Sequence, residues 1–378
     1  MSRGNVLIVG GGIGGLSAAI AIKNVGFDVL VVERYADMHA SVFGVGIIQP
    51  INAMRALDAI GCADACMEEG YQAADWAAKY DVSGNFLFPI PGTRIEGSRL
   101  PIMNGITRPK LHSILTRKAV EVGVEIRYST TAVDVIDHGD RVEVVLEGGE
   151  SLFADILVGA DGSRSKVRRH VIGDDLQLRY IGQSAYRMNM PLLPEIDRII
   201  LQEGPEGMAG FVPIGKDLAY FFYNAHQEKD EHKTQDQLRA ELRKHLAPFG
   251  GLTGRFRDEF LDNEDEEIVL RPEESLISPA PWHKGRIVLM GDAVHAVTPH
   301  LGQGAAQAIE DGVVLAEEMA RTDDLEDAFA VYTERRFERC RLIVQTSLDI
   351  GEWEMGRLPD FDNVAATTHV LKVMAQPL

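Results

Sequence analysis

Cysteine, positive charge and long apolar runs are all scarce in this chain, and each shortage removes a class of protein. The 378 residues contain three cysteines, Cys62, Cys66 and Cys340. An odd, small number is no disulfide framework and fits a reducing compartment. Cys62 and Cys66 stand C-x3-C with no histidine nearby, which reads as buried thiols and no metal site. Lys and Arg total 38 against 57 Asp and Glu, a net charge of −19. Such a chain repels phosphate backbones and anionic lipid, so neither nucleic acid nor a membrane surface is expected as a partner. No apolar run approaches the ~18 residues of a membrane span. The apolar start carries a glycine cluster and leads to Glu33, so it reads as fold and not as a leader, and a cytoplasmic location is expected. Internal repeats and low-complexity segments are missing too. The acidic run DNEDEEI reads as a solvated turn.

What is present is ordinary globular composition, 45% hydrophobic and 25% charged, in a length that suggests about two domains. The first 34 residues form a βαβ pattern: a β-rich run from Val6, a glycine turn, a helical period, and a second β run that ends at Glu33. Inside it lies Gly10-x-Gly12-x-x-Gly15, with Glu33 placed 18 residues after the last glycine. Gly10 permits the tight turn, Gly12 admits a pyrophosphate to the backbone, and Gly15 lets helix pack on strand. Glu33 is placed to accept ribose hydroxyls. A bare GxGxxG says little; one between strand and helix with an acid after the second strand says dinucleotide. Alone it does not choose between NAD and the adenine half of FAD.

A second glycine cluster lies far along the chain, in VLMGDAVHAVTPHLGQGAAQAIEDG, residues 288–312. An apolar strand ends in Gly291-Asp292 and a helix is entered through Gly302-Gln303-Gly304-Ala305. One carboxylate and a close backbone approach suit the other half of a long dinucleotide, which favours FAD. A third element, GADGSRSKVR, turns through Asp161-Gly162 and sets Arg164 and Arg168 one helical turn apart. Between these motifs the pattern changes. NAMRALDAIG reads as a helix stopping at Gly61, residues 76–101 read as strands with Gly and Pro punctuation, and about 178–268 as antiparallel strands followed by the polar helix TQDQLRAELRKHL.

The resulting expectation is an α/β protein: a Rossmann-type FAD-binding domain interrupted by a mainly antiparallel β substrate domain, with a C-terminal helical segment. The parts are 1–72, 102–176 and 270–345 for the cofactor domain, 73–101 and 177–269 for the substrate domain, and 346–378 for a helical tail.

In order, GxGxxG with Glu33-Arg34, Arg108-x-x-Leu111-His112, Asp161-Gly162, and Gly291-Asp292 with Pro299 and Gly-x-Gly make the chain resemble the single-component FAD-dependent aromatic hydroxylases. These act on p-hydroxybenzoate, salicylate, 6-hydroxynicotinate and urate. The resemblance runs to about residue 345. It implies FAD as cofactor, with Gly10, Gly12 and Gly15 at the pyrophosphate, Glu33 at the adenosine ribose, Arg34 by the adenine half and Arg108 near the pyrophosphate. Asp292 would hold the pyrophosphate–ribityl region, and Pro299, Gly302, Gly304 and Ala305 would face the ring. Ala132, Asp161 and Gly162 would lie on the cofactor side, the last two linked also to the nicotinamide cofactor. The implied activity is a monooxygenase: NADH or NADPH reduces FAD, O2 is captured as a flavin C4a-hydroperoxide, and one oxygen enters a small aromatic or heteroaromatic substrate. The glycine-rich FGVGII, residues 43–48, reads as a plain turn or as a mobile loop over the flavin. The chain departs from the family in carrying Ile47 and Ile48 on that loop and Ile51-Asn52 where Pro-Asn is usual.

Substrate contacts are expected from the β domain. Arg187, among apolar neighbours, reads either as a bidentate carboxylate binder or as half of an ion pair. Tyr220 reads as a hydrogen-bonding or a packing residue, and Met208 and Phe211 as pocket walls. His300 beside Pro299 is the candidate base, a neutral imidazole assisting ring deprotonation, with Tyr220 the other catalytic candidate. His295 reads as structural and His112 as cofactor-side packing. An alternative keeps FAD but inserts no oxygen, as a reductase or dehydrogenase of the same fold; a nucleotide-binding module with a dead site is opposed by the intact Asp292, Pro299 and Gly302-Gln303-Gly304. A homodimer is left open.

Overall fold

A computed structural model describes residues 2–38, 46–227 and 233–377. The β-rich runs at the N-terminus become the central strands of a six-stranded sheet. Asn5–Val9 lies between Asp28–Val32 and Ile156–Gly159, and Ile287–Leu289 and Glu125–Arg127 flank these, all four pairings parallel. His283–Lys284 closes one edge antiparallel. The strands read as nearly continuous apolar runs because both faces are covered. The helix Ile13–Asn24 covers one face and packs against Gly304–Arg321, so closely that a Cβ at Gly312 would lie 2.7 Å from the amide nitrogen of Ala18. Both glycine motifs therefore open at the carboxyl ends of parallel strands on either side of Ile156–Gly159, where α/β sheets bind ligands.

The second sheet has seven strands, in the order Val269–Ser275, Arg179–Pro191, Leu218–His226, Gly207–Pro213, Ile199–Glu203, Ala77–Tyr80 and Phe86–Ile90. All neighbours pair antiparallel except Ile199–Glu203 with Ala77–Tyr80. Strands from before residue 101 thus join those after 177 in one layer. Period-two alternation gives this sheet two distinct faces. Phe211, Phe221 and Tyr223 face the helices Gln235–His245 and Gly251–Glu259 and form a buried core with Phe256, whose ring stacks on Phe221 at 3.9 Å. Tyr220, Phe222 and Asn224 face the other way, into a cavity. The polar helix is fixed at its start by a reciprocal capping box between Thr234 and Gln237.

Two expectations change. Residues 43–45 lie outside the described residues, but Gly46–Pro50 is no loop. It is a strand paired antiparallel with Met103–Thr107, Ile47 opposite Ile106. The helix Leu325–Glu354 also runs unbroken through residue 345, so no separate tail begins there; its last turn returns to the seven-stranded sheet, and Asn363–Ala375 packs back as a further helix. Among the described residues, no helix is long and apolar enough to cross a membrane.

Candidate active site

At the first motif Gly10 has φ +111°, and a Cβ on it would meet the carbonyl of Ala160; one on Gly15 would collide with the carbonyl oxygen of Gly10. A Cβ on Gly12 would meet nothing within 4 Å. The loop is tight where chain packs on chain and open at the residue expected to face phosphate. Glu33 is buried, and its carboxylate accepts from the amides of Gly11 (2.7 Å) and Tyr35 (3.0 Å). Arg34 is exposed and lies over the Tyr35 ring. Ala132 opens a strand two residues after Thr130, whose amide bonds the carbonyl of Glu33.

The Arg108 motif reaches the same crevice. Thr107 caps the helix Arg108–Glu121, and His112 Nε2 lies 2.8 Å from the carbonyl oxygen of Gly11, tying that helix to the glycine loop. Arg108 and Asp292 are surrounded by protein mass, yet their side chains open to solvent within the crevice. Burial lowers the pKa of the arginine and raises that of the carboxyl, and each charge partly offsets the other's shift. Neither has a hydrogen bond to protein among the described residues. Asp161 is spent on its own turn, accepting from Ser165 Oγ (2.5 Å) and the amide of Lys166 (2.7 Å), with Gly162 at φ +83°. Arg168 ties that turn to the carbonyl of Ala293 at 3.0 Å. These features fit FAD: a glycine loop open at Gly12, an exposed cation and carboxylate, and the start of Gly304–Arg321 at one crevice.

Behind the corner lies a buried polar chain that motif reading did not show. Asn52 and Gln303 exchange side-chain hydrogen bonds at 3.0 and 3.3 Å, Gln307 donates to Gln303 (3.0 Å), and Arg336 donates to Gln307 (2.6 Å). Arg336 also pairs with Glu310 (2.8 Å) and Asp311 (2.7 Å), and Asp311 takes His295 Nε2 at 2.6 Å. Burial works to raise the Asp311 pKa, but His295 and Arg336 bring it down to about 2. His295, Asp311 and Cys340 are close enough for a metal, yet the fixed guanidinium of Arg336 sits against the last two. The cluster is thus a charge network. Asn52, in the place where the family has Pro-Asn, is what anchors the Gln303 turn.

The substrate-side cavity, about 100 Å³, lies between the seven-stranded sheet, the turn Pro299–Leu301 with Gly302, and the end of Leu325–Glu354. Its lining includes Arg187, Met208, Tyr220 and His300. Phe211 is absent from it and fully buried in the helix-facing core. Met208 and Phe211 are three residues apart on one strand, an odd spacing that sends them to opposite faces. Arg187 is half-buried and makes no ion pair or hydrogen bond with protein among the described residues, so the ion-pair alternative falls away. The Tyr220 hydroxyl also lacks a protein partner there, and burial raises its pKa.

His300 is not a neutral base. Its Nδ1 lies 3.0 Å from Thr298 Oγ1, and its Nε2 lies 3.1 Å from Gln183 Oε1, 3.4 Å from Glu273 and 3.5 Å from Glu354. Burial alone would lower its pKa, but the two carboxylates outweigh that and push it up to about 9. Both ring nitrogens have partners, and the two carboxylates favour the charged form. Sequence reading missed Glu273, Glu354 and Asn224. For Asn224 a signal existed: it continues the alternation Tyr220, Phe222. Glu354 lies far away in sequence and nothing local marked it.

The family described as FAD binding domain matches residues 3–347. YetM of Bacillus subtilis (strain 168), ascribed FAD-dependent monooxygenase activity, is 34% identical over 348 residues, 92% of each chain. The 2-heptyl-3-hydroxy-4(1H)-quinolone synthase of Pseudomonas aeruginosa is 30% identical over 361 residues, 95% of this chain and 90% of the relative. Among solved structures, a variant of Klebsiella pneumoniae HpxO complexed with FAD shares the fold, with a TM-score of 0.84 at 24% identity over 98% of this chain and 94% of that one.

Proposed function

The chain belongs to the FAD-binding-domain family, and on that premise we propose that it is an FAD-dependent monooxygenase that hydroxylates a small, largely apolar aromatic or heteroaromatic compound. When bound and reduced by NADH or NADPH, FAD supplies one electrophilic oxygen atom from O2. The balance is substrate, O2, NAD(P)H and a proton giving hydroxylated substrate, NAD(P)+ and water. The observation that carries this reading is the cavity wall: the Arg187 guanidinium and the Tyr220 hydroxyl, both without a protein partner among the described residues, beside the Pro299–Gly302 turn.

Each residue has a definite task. Arg187 binds a carboxylate or a phenolic or enolic oxygen, and in stabilising that anion it favours the electron-rich form of the ring. Tyr220 donates to the same side. Ile48, Trp76, Ile199 and Leu201 supply apolar walls that keep water from the reacting carbon. His300 holds its proton and orders the carboxylates, and removes none from the substrate. By the same reading, residues 1–72, 102–176 and 270–345 carry the cofactor, and 73–101 with 177–269 most of the substrate contacts.

The test is aerobic oxidation of NADH and of NADPH by the flavin-loaded enzyme against hydroxylated benzoates, pyridines, quinolines and purines, with product masses under 18O2. A compound that accelerates oxidation and gains one labelled oxygen is expected. Accelerated oxidation yielding a product without label would replace this reading with a reductase or dehydrogenase.

A further inference from the structure

We propose that Glu354 accepts a hydrogen bond from an N–H of the substrate, so that the compound hydroxylated here carries a ring or aryl N–H besides the oxygen bound by Arg187. This deepens the monooxygenase reading and rests on it. Glu354 ends the long helix Leu325–Glu354 and lines the cavity. Three donors converge on one of its oxygens: Gln183 Nε2 at 3.0 Å, Asn224 Nδ2 at 3.1 Å and His300 Nε2 at 3.5 Å all address Oε2. Oε1 has no hydrogen-bond partner among the described residues. The side chain is therefore clamped by one oxygen while the other is left at the cavity.

A carboxylate so placed is an acceptor only. Burial works to raise its pKa, but His300 and the two amides hold it below the usual carboxylate range, so it is ionised at neutral pH. A desolvated acceptor without a donor is costly, and the surrounding walls are mostly apolar. Glu273, which meets the same His300 Nε2 at 3.4 Å, is not among the lining residues. Cationic side chains, His300, Arg187 and Lys79, already line the cavity around Glu354, so a neutral N–H suits the site better than an ammonium. The chemistry follows the same direction. An N–H conjugated with the ring and bonded to a carboxylate releases more of its lone pair into the ring, which makes the conjugated carbon a better nucleophile toward an electrophilic oxygen.

The test titrates the flavin-loaded enzyme, following the absorbance of bound FAD, with ring pairs that exchange N–H for O: indole and benzofuran, 4(1H)-quinolone and chromone, 2-quinolone and coumarin. In at least one pair the N–H member should bind roughly ten- to hundredfold more tightly, as befits a hydrogen bond to a charged group. Glu354→Gln should cut that preference severalfold, and Glu354→Leu should remove it. Equal binding within every pair, binding by neither member of any pair, or a preference that survives both substitutions would overturn the proposal. FAD content and labelled-oxygen insertion measured on the same preparations report separately on the monooxygenase reading.

Discussion

His295 and His300 are five residues apart, both are buried imidazoles facing carboxylates, and they have opposite kinds of surroundings. His295 pairs with an Asp311 that is itself held by Arg336 and the amide of Gly291, in a network where cation and carboxylates answer one another. His300 sits where satisfaction runs out: Glu273 has no hydrogen-bond donor on either oxygen, and nearby Arg187, Tyr220 and one oxygen of Glu354 have no protein partner among the described residues. Polar groups that build the flavin corner are closed among themselves. Those that line the cavity are left open at one end, and the open end marks where another molecule completes them.

The strongest way to break this comparison is to unbalance the closed network. Arg336→Met removes the buried guanidinium that bridges Glu310 and Asp311, leaving Glu310 to the longer pairs with Arg55 and Arg339 and Asp311 to His295, and a loss of about 3 kcal/mol of stability is expected. Thermal unfolding of the flavin-loaded protein should show it; a change below about 1 kcal/mol would mean the network is not closed as described. On the open side, Arg187→Met should leave unfolding and FAD content unaltered while lowering kcat/KM for an anionic substrate by about a hundredfold, the usual cost of removing one partner of a desolvated charge pair. If stability falls instead, Arg187 belongs with the structural set. Asp292 stands between the two regions, open but at the cofactor crevice. Asp292→Ala should weaken FAD binding by about ten- to a hundredfold, the range for hydrogen bonds to a charged group; unchanged flavin retention in gel filtration would remove it from the cofactor site.

How much of this was legible in the sequence follows from how local each signal is. The glycine fingerprint, Glu33 and the Gly291-Asp292 turn declare themselves because backbone conformation and spacing within a few residues dictate them. The β substrate layer was legible as alternating runs, and period two should also have separated Met208 from Phe211, which the composition of the strand alone obscured. The cavity's carboxylates were not legible. Glu273 and Glu354 meet His300 only because a strand at one edge of the seven-stranded sheet and the last turn of a 30-residue helix converge there, and no spacing within either segment encodes that meeting. His300 was therefore taken as neutral when its neighbours make it charged.

That charge gives the smallest and sharpest contrast between the regions. The groups facing His300 are Glu273 and Glu354, with Thr298 and Gln183 bonding the ring and Arg187 near enough to oppose its proton. Its pKa is raised from 6.5 to about 9, so the folded state binds the proton more tightly than the unfolded chain. The resulting stabilisation is full below about pH 6.5 and is lost as pH rises through about 9. The loss should be on the order of 1–2 kcal/mol between pH 7 and 10. Tyr, Lys and Cys side chains titrate in the same window, so the measurement is a difference: unfolding of the native protein against His300→Gln across that range. The two curves should converge as pH rises, since the native protein alone has an imidazolium there to lose. Parallel curves would mean that His300 is neutral at pH 7, which would return it to the role of a base. Asp311 supplies the matching arm at acid pH. Its contribution, present above about pH 4, is lost only as pH falls toward about 2, so the closed network loses stabilisation at the acid end of the range and His300 at the alkaline end.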